Sequence, residues 1–547
     1  MFEDIDLNSI QDENARQLIV RLLNLVEDLS ADLRAARAEN QRLRDEINRL
    51  KGEQGKPGIR ANKPGRADHS SEKERYTPKR RQKDSKQAKL EIDREETLTV
   101  DPGSMPADAK FKGYEDVMVQ DILFRRENVC FHKAKYYAAS TGKSYLAALP
   151  AGYAGQFGPG IKALSLALYY GGQMSEPKIL ELYADAGVHM SAGQLSNLLI
   201  KDQGVFEAEK ETVYVAGLES SPWQHTDHTS TRVNGENQYC QIVCNPLYTV
   251  YRTTPSKDRL SVLDGLRNGR ERRFRLNAEA LGYLATLSLS PAMREVLNGW
   301  CSEQTLDEAR FMERLTGQLP GLHAPQRKAI VVAAAVAAYH AEVEWPRVQL
   351  LVCDDAPQFN WLSDEMGLCW VHEGRHYKKL MPVLASHRRR WVEFQAQFWA
   401  FYHQLLAYRQ QPSAAECRRL DTDFDQLFST VTGYAALDAR IAKTRSKKPC
   451  LLAVLRHPEI PLHNNPAELA ARQRVRKRDV SFGPRTQDGV RAWDTFMSLA
   501  ATTRKLGISF YQYLHDRISK ANQIPSLAHV IQTHAQQLAL GASWAAV

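Results

Sequence analysis

Residues 223–255 read WQHTDHTSTRVNGENQYCQIVCNPLYTVYRTTP. Three β-rich segments, WQHTDHTSTRVNG, NQYCQIVCN and LYTVYRTTP, are separated by Asn, Gly and Pro, which is the pattern of an antiparallel meander. A helical pattern follows over 257–266, and the spacing stays mostly helical through 267–345. Then VQLLVCDD at 348–355 runs apolar without a break and ends in two carboxylates, which suits a central strand buried on both faces. After LCWVHEGRHYKKLMP comes a long helical stretch over 385–448, then HNNPAELAARQRVRKRDVSFG and a last helix over 490–506. Strands first and helices mixed in afterwards predict an α/β domain.

Upstream, residues 18–50 carry a heptad, with Ile19, Val26, Leu33, Asn40 and Ile47 at a and Leu22, Leu29, Ala36, Leu43 and Leu50 at d. Branched a residues with Leu at d favour a parallel two-stranded coiled coil, and Asn40 would pair with its twin and fix the register. A homodimer is expected. Between residues 51 and 90, thirteen basic residues stand against five acidic ones, a surplus of eight, in a tract too poor in apolar side chains to order itself. Over 110–211 the apolar spacing reads as helical. Within it, Ser175 can cap a helix bearing Ile179, Leu180 and Leu182, Gly187 permits a turn, and Ser191 can cap a second helix bearing Leu195, Leu198 and Leu199. That is a helix-turn-helix pattern, which ordinary helical hairpins share.

The whole chain of 547 residues is 43% hydrophobic and 25% charged, which is a globular composition, and its net charge of +9 is concentrated in the basic tract. Concentrated positive charge releases counterions from a polyanion, so nucleic acid is the leading partner class. No stretch is long and apolar enough for a membrane span, and the acidic N-terminus MFEDIDLNSI is unlike a secretory signal, so a cytoplasmic protein is expected. The eight cysteines are scattered and read as free thiols. Cys130 with His132, Cys240 with Cys244, and Cys369 with His372 all lack four ligands at zinc spacing.

Three acidic residues lie where folding could gather them: Asp227 in the first strand segment, Asp354 at the end of the buried strand, and Glu468 just inside the helix that Asn464, Asn465 and Pro466 would start. Assembled, they would be an oxygen-only donor set suited to Mg²⁺ or Mn²⁺, two ions of which can activate a water or a 3′-hydroxyl against a phosphodiester. Taken singly, a carboxylate at such a place is usually a cap or a surface charge. Arg472, Arg474, Arg476, Lys477 and Arg478 follow Glu468, and His372, Arg375, His376, Lys378 and Lys379 follow the Asp354 strand; both groups could line phosphates or could be solvated helix faces. Trp391, Phe394, Phe398, Trp399, Phe401 and Tyr402 fall at helical spacing and read as core, with stacking on a flipped base as the alternative.

The segments HTDHTSTRVNG, LLVCDDAPQF with CWVHEGRHYKKLMP, and HNNPAELAARQRVRKRDVSFG with SLAATTRKLGISFYQYL resemble the motifs of the insertion-sequence-66 family of bacterial transposases. The resemblance extends over most of the chain. It implies the DDE class with a ribonuclease-H-like catalytic domain, Asp227, Asp354 and Glu468 as the triad binding two Mg²⁺ or Mn²⁺, and accessory proteins of the same element. Asp355 rivals Asp354, which the family pattern favours. The family's Cys-rich zinc-finger-like segment after the coiled coil is absent, since residues 51–104 contain no cysteine.

The expected organisation is a coiled coil over 1–50, a basic linker over 51–104, a helical DNA-binding domain over 105–215, and a ribonuclease-H-like catalytic domain over 216–520. That catalytic domain would carry helical insertions near 267–345 and 385–448, and a helical tail would occupy 521–547. The expected activity is a nucleoid-associated DNA transposase that binds terminal inverted repeats, cleaves, and joins 3′ ends to target DNA. The alternatives are a catalytically inactive DNA-binding regulator and a metal nuclease without strand transfer.

Overall fold

The computed structural model describes residues 10–50, 92–106, 109–122, 126–153, 155–285, 289–300, 302 and 304–544; most of the expected basic linker lies outside the described residues. The heptad region forms one helix, α1 (Glu13–Leu50). It docks on the body through side chains off the apolar seam. Leu23 and Glu27 are buried, and Asn24 donates to the Gly433 carbonyl at 3.2 Å while accepting from Ala435 N–H at 2.9 Å. Glu27 accepts from the N–H groups of Val383 and Leu384 at 2.7–2.9 Å, just before the helix that begins at Ala385. A carboxylate there satisfies amides that the helix leaves unpaired and meets the positive end of its dipole. The seam residues Leu22, Leu29, Leu33, Leu43, Ile47 and Leu50 stay exposed.

The expectation of helix from residue 110 onward fails for its first part. Residues 109–122 and 126–134 have no regular structure, and a β-hairpin follows, β1 (Lys135–Ala138) and β2 (Lys143–Leu146), closed where Gly142 adopts φ +66°. Its apolar residues are exposed, so their spacing never recorded a buried helical face. Helices begin at Pro159–Leu166. The two short helices read around Gly187 are present as α2 (Glu176–Asp185) and α3 (Ala192–Ile200). Gly187 takes φ +73° between them. Ser191 makes a reciprocal capping box with Gln194, whereas Ser175 occupies the cap position of α2 without a side-chain hydrogen bond.

After α4 (Gly204–Glu219) come β3 (Trp223–Val233), β4 (Glu236–Cys244) and β5 (Thr249–Thr254), the meander the sequence announces. A two-stranded patch of β6 (Arg273–Phe274) and β7 (Leu306–Asp307) sits among the helices that precede α5 (Ala324–His340). The Ala-rich run of α5 is buried from Val332 to Tyr339, where small side chains allow close packing. β8 (Leu350–Cys353), buried at all four positions, and β9 (Glu365–Leu368), which the sequence reading missed, complete a five-stranded sheet of order β5-β4-β3-β8-β9. β3, β4 and β5 pair antiparallel, and β3-β8 and β8-β9 pair parallel. The fold is therefore mixed α/β.

Helices cover both faces. α6 (Trp370–Lys379) follows β9, and the aromatic run of α7 (Ala385–Gln410) is core: Phe398, Phe401 and Tyr402 ring Trp370 at centroid distances of 5.4–6.5 Å. α8 (Asn465–Ser481) and α9 (Gln487–Lys505) lie against the antiparallel part of the sheet. α9 also closes the sheet's edge. Thr502, Ser498 and Asp494, spaced by four, accept from the N–H groups of Thr249, Tyr251 and Thr253, spaced by two, at 3.2, 2.9 and 2.6 Å. Four helical residues rise about 6.0 Å and two strand residues about 6.8 Å, so the two repeats keep step.

Candidate active site

Strand pairing sets two of the candidate carboxylates side by side. Trp223, Gln224 and His225 pair in register with Leu350, Leu351 and Val352, and continuing that register by two residues brings Asp227 level with Asp354, one step past the end of β8. Neighbouring strands lie about 4.8 Å apart, and residues level in a parallel pair point to the same face. On that face α8 crosses, with Glu468 in its first turn.

Buried hydrogen bonds fix the helix there. Asn464, the N-cap residue of α8, lies 2.9 Å from His225 Nδ1 through its Oδ1, donates from Nδ2 to the Thr226 carbonyl at 2.8 Å, and sends its own N–H to Cys369 Sγ at 3.3 Å. Cys369 also accepts from His372 N–H at 3.4 Å, as the cap of α6. Burial pushes His225 down to about 3, so it stays neutral. One asparagine thus ties together β3, α6 and α8, the elements that carry Asp227, His372 with Arg375, and Glu468.

The electrostatics follow from this crowding. Asp227 is pushed up to about 7, first by burial and further by the neighbouring Asp354 and Glu468 carboxylates, against the His228 N–H that it accepts at 2.7 Å. Glu468 is held down to about 2 by His372, whose Nδ1 stands 3.9 Å from Oε1, and by Arg375, 3.2 Å from Oε2, against the cost of partial burial. Buried Oε1 of Glu468 and Nδ1 of His372 both lack a hydrogen-bond partner. Among the described residues no three His, Cys, Asp or Glu side chains converge into a ready-made metal cage. Asp355, the rival to Asp354, is engaged elsewhere, 2.5 Å from Lys447 Nζ.

The basic residues divide. Arg472 and Arg476 on α8, and Arg375, Lys378 and Lys379 on α6, are exposed; Arg478 is half-buried and donates to the Ser230 carbonyl at 2.8 Å. Arg474 and Lys477 correct the expectation that the whole run lines phosphates, because both side chains are turned inward. Arg474 sits 3.2 Å from Asp494, donates to Thr253 Oγ1 at 2.8 Å, and stacks over Trp493. Lys477 Nζ lies 3.1 Å from the centre of the Tyr169 ring and donates to the Met174 carbonyl at 3.1 Å; burial pushes it down to about 7. The buried positions Ala467, Ala470, Ala471, Arg474 and Lys477 recur every three or four residues, so the inward face was marked by alanines before the cations arrived. The sequence reading likewise grouped His372 and Arg375 with the DNA-facing cations, whereas here they approach Glu468, and it assigned no role to His225 or Cys369.

Acidic residues side by side on adjacent parallel strands, with a third on the helix packed across them and exposed cations alongside, define a polar centre at the carboxyl end of β8 and the middle of β3 in an α/β protein. Comparison with known proteins then places the chain. Residues 324–492, which include Asp354 and Glu468, match the description "Transposase IS66 family". The chain is also 32% identical over 329 residues, 58% of its length and 99% of the relative's, to "Uncharacterized protein y4jO" of Sinorhizobium fredii (strain NBRC 101917 / NGR234). This chain belongs to the IS66 family of transposases, DNA-processing proteins whose partner is DNA. Among the described residues no helix is long and apolar enough to cross a membrane.

Proposed function

We propose that this chain is a DDE-type transposase that binds the terminal repeats of its element, cleaves phosphodiester bonds there and transfers the 3′ ends to target DNA. The observation that carries the reading is the placement of Asp227 level with Asp354 on adjacent parallel strands, with Glu468 across from them. The sheet order, a three-stranded antiparallel meander whose first strand is followed outward by two parallel strands, supports a ribonuclease-H-like catalytic domain.

The donor set suits hard divalent cations: three carboxylates, one with a buried unpartnered oxygen and one, Asp227, pushed up to about 7 by burial and then by its acidic neighbours. Asp227, Asp354 and Glu468 would hold Mg²⁺ or Mn²⁺, which when bound supplies Lewis acidity toward the scissile phosphate and the attacking oxygen. Asn464 keeps Glu468 over the strands. Exposed Arg472, Arg476, Lys378 and Lys379 attract the DNA backbone, each contact adding salt-sensitive affinity, while Arg375 is engaged with Glu468. The free a/d seam of α1 pairs two copies of the chain, since the face docked on the body leaves it open.

The test is incubation of the purified protein with a labelled transposon-end duplex and a plasmid target, in Mg²⁺ or EDTA, beside Glu468→Gln. Metal-dependent nicking and joining that the variant lacks bears the reading out. Cleavage without joined products marks a nuclease, and binding without cleavage, even with the element's partner proteins added, marks a regulator.

A further inference from the structure

The hairpin β1–β2 buries nothing. Tyr136 and Tyr145 pair across the strands on one face, at 71% and 54% exposure, and Tyr137 and Leu146 lie on the other, at 68% and 58%. A two-stranded ribbon with both faces in water is marginal by itself, and clustered exposed aromatics mark a surface that something covers.

Charge identifies what covers it. From residue 128 to residue 174 there is no Asp or Glu, while Lys133, Lys135 and Lys143 lie in or beside the ribbon. A surface that mixes lysines with tyrosines and excludes acids suits a polyanion with flat apolar groups, and a two-stranded ribbon fits within the major groove of duplex DNA.

The ribbon's roots are fastened to the helix pair. Phe131 and Tyr153, on either side of the hairpin, meet edge to face at 5.1 Å, and Gly152 lies so close to the backbone of Ile518 and Ser519 that a Cβ there would fall 2.7 Å from Ser519 Cα. Gln194, in the first turn of α3, donates to Gln156 at 2.8 Å, and Arg126 donates to the carbonyl of Gly187, in the turn between α2 and α3, at 3.1 Å. The ribbon therefore projects from a base tied to α3, whose first turn is exposed and uncharged from Ser191 to Gln194.

We infer that the β1–β2 ribbon is a DNA-docking element, entering a groove beside α3 with Lys135 and Lys143 on phosphates and Tyr136 and Tyr145 against sugars and base edges. The inference rests on the proposed DNA function and names the element that engages the duplex. The test uses the full chain and a fluorescein-labelled, mixed-sequence duplex titrated by anisotropy across a salt series. Lys135→Ala/Lys143→Ala should weaken binding and flatten the dependence of log affinity on log salt by about 0.9 per lost contact. Tyr136→Ala/Tyr145→Ala should weaken binding roughly ten-fold with the slope retained, taking the two lost apolar contacts together at about 1.4 kcal/mol. DNA should also slow amide exchange across 135–146 in the wild type, a readout that needs no variant. Equal binding by both variants with unchanged exchange overturns the inference while leaving the DNA function standing. A wild type that binds no duplex overturns both. DNA affinity unchanged in the tyrosine variant, with a shifted sedimentation mass or lost vesicle binding, would give the surface to a second copy or to a membrane and equally overturn it.

Discussion

Two polar clusters lie on one face of the sheet, both reached by α8. In one, Arg474 faces Asp494, whose two carboxylate oxygens are both occupied: Oδ2 accepts the Thr253 N–H at 2.6 Å, and Oδ1 lies 2.8 Å from the Thr253 hydroxyl and 3.2 Å from Arg474. Charges there match one to one. In the other, burial and the neighbouring Asp354 and Glu468 carboxylates push Asp227 up, Glu468 takes Arg375 and His372, and a buried carboxylate oxygen goes without a partner. The first cluster is balanced in charge, with Arg474 Nε a buried nitrogen without a hydrogen-bond partner. The second is left short of positive charge, which is the condition in which a site can gain free energy by taking up a cation.

Neutralising a member of each cluster should therefore fall on a different property, activity in the second cluster and stability in the first. The largest effect falls on activity. Glu468→Gln should reduce metal-dependent cleavage to background, while urea unfolding shows only a modest loss of stability, because the variant gives up the His372 and Arg375 interactions that hold the carboxyl down to about 2. A variant that cleaves normally removes Glu468 from the triad. In the charge-balanced cluster, Arg474→Met should leave the Asp494 charge buried and unpaired and cost about 3–5 kcal/mol in unfolding free energy. A loss below about 1 kcal/mol would mean that the pair is screened like a surface one.

Lys477 sharpens the comparison through pH. Its ordinary value is about 10.4, and burial brings it to about 7, so between those values the unfolded chain holds a proton that the folded chain has released. Stability from this residue therefore rises as pH climbs above about 7, and its penalty is full below that. Lys477→Met should be most stabilising relative to wild type near pH 6, by up to a few kcal/mol, and the gain should shrink toward pH 9 in paired thermal melts. A gap that does not vary with pH would show that the Tyr169 ring keeps the ammonium charged throughout. The smallest effect belongs to α1. Asn40→Leu should raise the melting temperature of the paired helix and broaden its oligomer distribution in sedimentation; an unchanged, strictly dimeric zipper contradicts the buried-Asn reading.

The residues that told the fold most clearly were those whose pattern burial itself imposes. The β3–β5 meander and the apolar β8 could be read because alternation and unbroken apolar runs reflect which faces are covered. β9 escaped because four residues, EMGL, are too few to show a period and include a glycine. The β1–β2 hairpin carries helix-like apolar spacing although its apolar residues face solvent, so that spacing holds no information about packing. For the candidate site, Asp354 and Glu468 stood out at a strand end and a helix start, whereas Asp227 lies inside a strand, and the three were joined as one set by the family resemblance rather than by any local pattern. The inward turn of Arg474 and Lys477 was not legible, although the alanines one and two turns earlier trace the same stripe. His225, Cys369 and Asn464 act through one another across gaps of about a hundred residues or more, and no local pattern carries such a link.

The matched repeats of α9 and β5 have a consequence for how copies of this chain can gather. Each outward amide of Thr249, Tyr251 and Thr253 is already taken by a helix side chain. A neighbouring molecule therefore finds no row of free donors to lengthen the sheet on that side. Crowded together on one stretch of polymer, copies that meet at this edge do so through helices and side chains, and strand-to-strand fusion along β5 would first require prying off a helix whose teeth mesh with the strand at three points.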